Sequence, residues 1–461
     1  MNYWLVKSKF EMDRTELFIK NDFWQNFTEK HFNAVNSVQE GDILLLGDKS
    51  LIIYYAVCIE NEKNGTYLVV DEWKRFQKPI NFSSTKVLEK IIVKINDTDL
   101  IEKIKSNIEE QKAVDSIIIK SIELENFTLF KKNLLEFSSG INIFIGENGT
   151  GKTQLLKLLY SLIKGNNILP HNLFPLKFPI RFGKTELLFQ KEIESILKPE
   201  SIENLITKNR NKTLILLNLD KYKIEYCIHR DKTVNFKIEK DNNITIHEKK
   251  ALFLPAKEIL SFYTGFRSIY RQTSFDETFD DLATSLGKIV PKNRYYENFE
   301  EKMLKDLEEI LGGKIVLDND RFYLLEQDGT KREITLVAEG LRKLGTIFHL
   351  LANETIEKGS VIFWDEPEAN LNPKVIKYVA KMMLELERAG VQIFIATHSL
   401  FLINEIEILR KKENKIQYFS FGFDNKKELR ISQSSKLEEL KDLILLDEEL
   451  DQGDRFMSRE R

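Results

Sequence analysis

Along the first hundred residues, apolar positions fall in short β-branched and aromatic runs rather than at helical spacing. Tyr3 to Val6, Ile43 to Leu46 after the turn signal Gly41-Asp42, Leu51 to Ile59 and Thr66 to Val70 each read as strands. The Asn64-Gly65 pair between two of these runs is a hairpin signal. Residues 98–114 are polar with helical spacing and read as a connector, after which a new strand pattern begins at Ser116. The pattern predicts a small β-rich domain over 1–112 and a larger domain over 113–461.

The second domain changes character. Ile141 to Ile145, Ser360 to Trp364 and Gln392 to Ala396 are short apolar runs, the pattern of parallel strands covered on both faces. Helical spacing fills 297–311 and 373–389, and Asn372-Pro373 opens the latter. The stretch 165–250 mixes loops, a helix and strands such as LILLNLD and KIEYCIHR. Strands alternating with helices predict an α/β fold on a mainly parallel sheet, with helical and β insertions at roughly 160–335.

Composition adds mainly exclusions. With 42% hydrophobic and 31% charged residues, the 461-residue chain has core material enough to exclude bulk disorder and fibrous repeats. Lys and Arg number 69 against 72 Asp and Glu, so nucleic-acid binding would need a local patch rather than bulk charge. Residues 1–112 are slightly acidic, which argues against strong phosphate binding there. The lysine pairs 411–412 and 426–427 read as solvated faces. Cys58 and Cys227, far apart, exclude a disulfide scaffold and a cysteine-based zinc module. No run reaches about 18 apolar residues, and acidic residues interrupt the N-terminus before an apolar segment forms. The expectation is a soluble cytoplasmic protein with no membrane partner.

Four motifs carry chemistry. The first is Gly146-Glu147-Asn148-Gly149-Thr150-Gly151-Lys152-Thr153, between a strand and a helix expected to begin near Gln154. Glycines let backbone N–H groups curl around a β-phosphate at a helix N-terminus. Lys152 would reach the β- and γ-phosphates, and Thr153 would offer its hydroxyl to Mg²⁺. The second is an apolar strand ending in Asp365-Glu366, one acid to hold Mg²⁺ and one to orient or deprotonate a water. The third is His398, just beyond the next apolar strand, at the sheet edge where an imidazole can sense a γ-phosphate. The fourth is Ala338-Glu339-Gly340-Leu341-Arg342-Lys343, a helix start with donors one turn later, suited to an anion arriving from outside. His31, His171, His229, His247 and His349 have no such context.

Together these motifs resemble the ATP-binding-cassette head shared by SMC, recombination-repair and OLD-type ATPases, from about Ser116 onward. More closely, VAEGLRKLGTI, VIFWDEPEANLNP, VQIFIATHS, LFLPAKEILS from Leu252 and FDETF from Phe275 resemble a bacterial subgroup of stand-alone AAA-type ATPases, many tied to phage defence. The resemblance implies a P-loop nucleoside triphosphatase with 338–343 as signature, Asp365-Glu366 as Walker B, Ala369-Asn370-Leu371-Asn372 as D-loop and His398 as switch. It further implies ATP and Mg²⁺ as ligands, Glu366 and His398 as catalytic residues, and a homodimer or higher oligomer closed by ATP. Each signature would face the other subunit's nucleotide. Three departures stand out. The signature opens with Ala338-Glu339 rather than Ser-Gly, Asn372 stands where Asp is usual, and no clear Q-loop glutamine exists. Gln190 is a poor candidate for that glutamine, and Lys257 or Glu258 sits closer to the expected place.

The segment after His398 is short for the Toprim nuclease domain of OLD enzymes, so an effector nuclease or toxin is expected on a separate chain. A DNA-repair head is the alternative, although the middle segment lacks long heptads. In 1–112, the order Tyr3-Trp4, Trp24, Gly41-Asp42, Trp73 resembles EVE and PUA-like barrels, which hold a modified base of DNA or RNA among aromatic rings. On that reading Trp4, Trp24 and Trp73 form a base pocket, although Trp4 also suits a barrel core.

Overall fold

The computed structural model describes residues 2–7, 23–25, 32–48, 51–61, 67–71, 73–81, 92–114, 118–167, 183–240, 250–266, 275–291, 298–441 and 444–459. The Asn64-Gly65 signal, Ser116, His31, His171 and His247 lie outside them. Two compact units emerge, one of residues 1–114 with 289–301, the other of 115–288 with 302–461. The short segment 289–301 thus groups with the first unit, although it lies far from it in sequence.

The first unit is built on a seven-stranded mixed sheet. Its order runs Phe23–Gln25, Tyr67–Val70, Leu51–Glu60, Ile43–Asp48, Tyr3–Lys7, Ile92–Ile95, and Lys74–Asn81 also pairs with Leu51–Glu60. Tyr3–Lys7 lies parallel to Ile43–Asp48 and the other pairings are antiparallel. Strand side chains alternate between faces, and here both faces are buried. Trp4, Val6, Leu44 and Leu46 enter one cluster, while Tyr3, Leu5, Ile43 and Leu45 enter the other.

Two expectations need correction here. The helix Thr98–Val114 is no plain connector: Ile104 is fully buried in the second cluster, with Leu100, Ile101 and Ile108 packed against it. That spacing puts the four on one helix face, which covers the sheet. Among the described residues, the three tryptophans pack into the core rather than line an open base pocket. Trp4, Trp24 and Trp73 are 5%, 0% and 5% exposed and all belong to the first cluster. The Trp4 indole N–H donates to the buried Asp42 carboxylate at 2.8 Å, which also accepts from the Asn2 and Gln39 amides. The rings are core, with their apolar area removed from any ligand's reach.

The second unit centres on a six-stranded sheet ordered Ala251–Leu254, Val361–Asp365, Gln392–Thr397, Ile141–Gly146, Ile416–Phe423, Leu429–Ser434. The first five strands are parallel and the last is antiparallel. Parallel pairing brings the carboxyl ends of the glycine-loop strand, the acid strand and the His398 strand to one edge, where α/β sheets hold their ligands. A five-stranded antiparallel sheet, Val234–Lys240, Tyr222–His229, Lys212–Leu219, Ile119–Phe127, Phe130–Glu136, makes a second layer. Between the layers runs the helix Lys152–Asn167, buried on most of its circumference. One apolar cluster joins all three, from Phe144, Phe363 and Phe394 through Leu155, Leu156 and Leu159 to Ile122, Ile215 and Ile224. A three-stranded sheet, Gly313–Asp318, Arg321–Glu326, Lys331–Glu333, precedes the helix Glu339–Ala352.

Candidate active site

The loop after Ile141–Gly146 turns back on itself because its glycines take conformations that side chains resist. Gly149 and Gly151 have φ of +83° and +91°, and the helix begins at Lys152. Gly146 is fixed by space as well, since a Cβ there would stand 2.1 Å from the Phe421 carbonyl oxygen. Lys152 folds over its own loop and donates to the carbonyls of Gly146 at 2.6 Å and Glu147 at 2.7 Å. Burial lowers its pKa, against the pull of Asp365, Glu366, Glu368 and Glu147. Thr150 is buried and donates to the Glu147 carbonyl at 2.8 Å, and Gln154 accepts from the Thr128 hydroxyl at 3.1 Å.

The Thr153 hydroxyl donates to Asp365 Oδ1 at 2.9 Å. Burial pushes the Asp365 carboxyl up to about 6; the Thr153 bond works against this and the Glu366 charge adds to it. These are hard oxygen donors of the kind Mg²⁺ takes beside phosphates, and a cation would favour the charged form of Asp365. The residues fit that ion. Among the described residues, no cluster of three or more His, Cys, Asp and Glu could hold a metal by itself.

Glu366 follows with φ of +45°, a conformation non-glycine residues rarely adopt, held by its amide donating to the Ala396 carbonyl at 2.9 Å. Its Oε1 stands 3.8 Å from His398 Nδ1, and both side chains are partly exposed. Phosphate loop, Thr153, Asp365, Glu366 and His398 line one cleft of about 760 Å³. Thr128, Leu129, Asn204, Thr207, Lys208 and Arg230, from turns and loops that connect the antiparallel layer, make up another wall of it. Sequence reasoning passed over this wall, since nothing in the spacing of those residues marks it. It passed over Glu368 too, which accepts from the Thr397 hydroxyl at 2.7 Å beneath His398.

The segment 338–343 does not line this cleft. Ala338 caps Glu339–Ala352 without a side-chain bond, and a Cβ on Gly340 would come within 3.0 Å of Leu371 Cδ2 and 3.3 Å of the Asn370 carbonyl. Asn370 donates its amide to Glu339 at 2.7 Å. Arg342 and Lys343, expected to meet an incoming anion, turn inward instead. Arg342 pairs with Glu258 at 2.9 Å and donates to the Val337 carbonyl at 2.6 Å. Lys343 is buried and donates to the Ala369 carbonyl at 2.7 Å. Segments 338–343 and 369–371 therefore form one block. Asn372 accepts from the Val375 amide at 3.0 Å, so it caps Pro373–Arg388. Glu258 is taken up by Arg342 and Ser261, and Gln190 donates to Glu194 at 2.9 Å on its own helix. Neither lines the cleft.

Residues 141–404, more than half of the chain, match the family described as "AAA domain, putative AbiEii toxin, Type IV TA system". The chain is 25% identical over 224 residues to a DNA double-strand break repair Rad50 ATPase of Nanoarchaeum equitans, which is 47% of this chain and 26% of that one. It thus spans about a quarter of that relative's length. It is 20% identical over 339 residues to an ATP/GTP phosphatase of Helicobacter pylori, covering 64% of this chain and 90% of the relative. A crystal structure of an SMC head bound to the C-winged helix domain of ScpA aligns with 70% of this chain and 98% of its own, at 13% identity and a TM-score of 0.45. Among the described residues no helix is long and apolar enough to cross a membrane.

Proposed function

The chain belongs to this AAA-domain family, and from that premise we propose that it is an ATP-hydrolysing switch whose heads pair across two ATP molecules. One observation carries the reading: a glycine phosphate loop at a helix N-terminus, the Thr153–Asp365 pair, Glu366 and His398 share one cleft. Loop amides and the helix N-terminus bind the phosphates. Lys152 exchanges the carbonyls of its own loop for β- and γ-phosphate oxygens. Thr153 and Asp365 would hold a Mg²⁺ ion, which would supply neutralisation of the phosphate charge. Glu366 takes the proton of the attacking water, and His398 hydrogen-bonds the γ-phosphate.

The signature segment lies outside its own cleft, and a second copy would complete the site with the half-exposed start of Glu339–Ala352. Arg342 and Lys343 then act within their own chain, bracing the signature against Glu258 and the D-loop. ATP becomes part of the dimer interface and its hydrolysis releases the two heads. We further propose a cytoplasmic sensor or regulator in antiviral defence; the family description itself reads "putative AbiEii toxin, Type IV TA system". Such a regulator would control a separately encoded nuclease or toxin. The second reading, an ATP-gated DNA-binding or repair head, draws on the Rad50 relative.

Phosphate release and nucleotide binding test the site. Glu366→Gln is expected to bind ATP while turnover falls by about 100-fold or more, since an amide cannot accept the proton. Lys152→Ala weakens binding itself. Near wild-type hydrolysis by Glu366→Gln would remove the base assignment. Duplex DNA retained by ATP-loaded Glu366→Gln, and not by the nucleotide-free protein, would favour the repair reading.

A further inference from the structure

A third carboxylate stands behind the two acids of the cleft. Glu368 lies between Val361–Asp365 and Pro373–Arg388 and is 8% exposed. Its Oε1 accepts from the Thr397 hydroxyl at 2.7 Å and from the His398 amide at 3.2 Å. Thr397 Oγ1 accepts in turn from the Ser399 amide at 3.0 Å, and Ser399 caps Leu400–Leu409. The main chain on both sides of His398 is thus anchored, directly or through Thr397, to one buried side chain.

The imidazole stands within reach of the same group. His398 Nδ1 is 3.7 Å from Glu368 Oε1 and 3.8 Å from Glu366 Oε1. A carboxylate offers about four acceptor directions. Glu368 uses two on Oε1, while its buried Oε2 has no hydrogen-bond partner. One Nδ1–H serves one of the two acids. Were Glu366 to take it, the carboxylate facing the cleft would be engaged and a poorer base for water. Glu368 is buried away from the cleft and has its spare acceptor capacity on Oε2, the oxygen that Thr397 and the His398 amide leave open. At 3.7 Å the bond is not yet made, and such contacts tighten when the substrate closes the site.

We propose that Glu368 is the positioning residue of His398: its carboxylate takes the Nδ1–H, holds Nε2 as the nitrogen facing the cleft, and leaves Glu366 to the water. Second carboxylates fix histidine tautomers in this way in metal and hydrolase sites. The inference rests on the ATPase reading of the cleft, so its test has a readout that needs no turnover.

The experiment uses the full chain. Wild type, Glu368→Gln and Glu368→Ala are compared for kcat and KM of ATP hydrolysis and for melting temperature. Gln keeps the size of the side chain and a carbonyl oxygen able to accept from Thr397 and the His398 amide, but sets an NH2 donor where the open Oε2 stood, so the Nδ1–H loses its acceptor. Its kcat is expected to fall about 10- to 100-fold with KM within about twofold of wild type and an unchanged melting temperature. The Ala variant should lose at least as much activity and also melt earlier. In parallel, ¹⁵N-histidine spectra, with the His398 signals assigned by their loss in His398→Ala, report the tautomer with ATP bound. Wild type should show Nδ1 protonated, and Glu368→Gln a mixed population. An active wild type whose Glu368→Gln kcat stays within twofold overturns the proposal, as does a tautomer indifferent to that substitution. A wild type without hydrolysis overturns the ATPase reading instead, and the spectra still decide the contact.

Discussion

Asp365, Glu366 and Glu368 differ in environment although they lie within four residues of one another. Asp365 is buried against the Thr153 hydroxyl and held up to about 6, Glu366 faces the cleft from a left-handed backbone, and Glu368 sits under His398. The glycines show a comparable split. At Gly146 a Cβ would press on the Phe421 carbonyl at 2.1 Å, whereas at Gly149 it would meet nothing within 4 Å. Gly146→Ala is therefore expected to displace the loop from the sheet, lowering the melting temperature and abolishing nucleotide binding. Gly149→Ala meets only the backbone strain of a positive φ, about 1–2 kcal/mol, and should keep a measurable affinity. Binding titrations and thermal melts of the two variants separate these outcomes; equal behaviour would contradict the packing account. The phosphate loop was legible in sequence because its glycine spacing is itself the chemistry. Glu368 was not, because a carboxylate three residues past Asp365 has no spacing that separates it from a surface acid. Its meaning comes from Thr397 and His398, one strand away.

At the scale of elements, the alternation of apolar residues located most strands and helices, and what it could not supply was which face met what. Thr98–Val114 looked polar, yet four apolar residues suffice to cover a sheet. Trp4, Trp24 and Trp73 looked like a pocket because aromatic placement along a chain does not distinguish an open cavity from a packed core. Trp24→Ala should cost about 3–5 kcal/mol in chemical denaturation of the first unit, as large core truncations do. A loss below about 1 kcal/mol would mean the ring is not core. Asn372, which departs from the Asp expected by resemblance, has a local explanation in capping the 16-residue helix Pro373–Arg388. Asn372→Ala is expected to cost about 1 kcal/mol in denaturation with turnover changed less than about threefold. A large fall in kcat at unchanged stability would restore a part in placing water.

For the whole molecule, strand order and grouping were the least legible features, because they depend on contacts between distant segments. The central strand Ile141–Gly146 pairs with Gln392–Thr397 and Ile416–Phe423, both far along the chain. Residues 289–301 group with the first unit although they fall inside the second in sequence. The 338–343 block poses the matching functional question, since its half-exposed start does not line the cleft of its own chain while Arg342 and Lys343 are spent on holding it. The claim that ATP joins two copies through that block is tested most directly by sedimentation velocity of the hydrolysis-blocked Glu366→Gln protein, with Mg²⁺ and either ATP or ADP. The account predicts a monomer with ADP and a dimer with ATP, the dimer lost again when Lys152→Ala is added. A protein that binds ATP by an independent titration and still sediments as a monomer would contradict it.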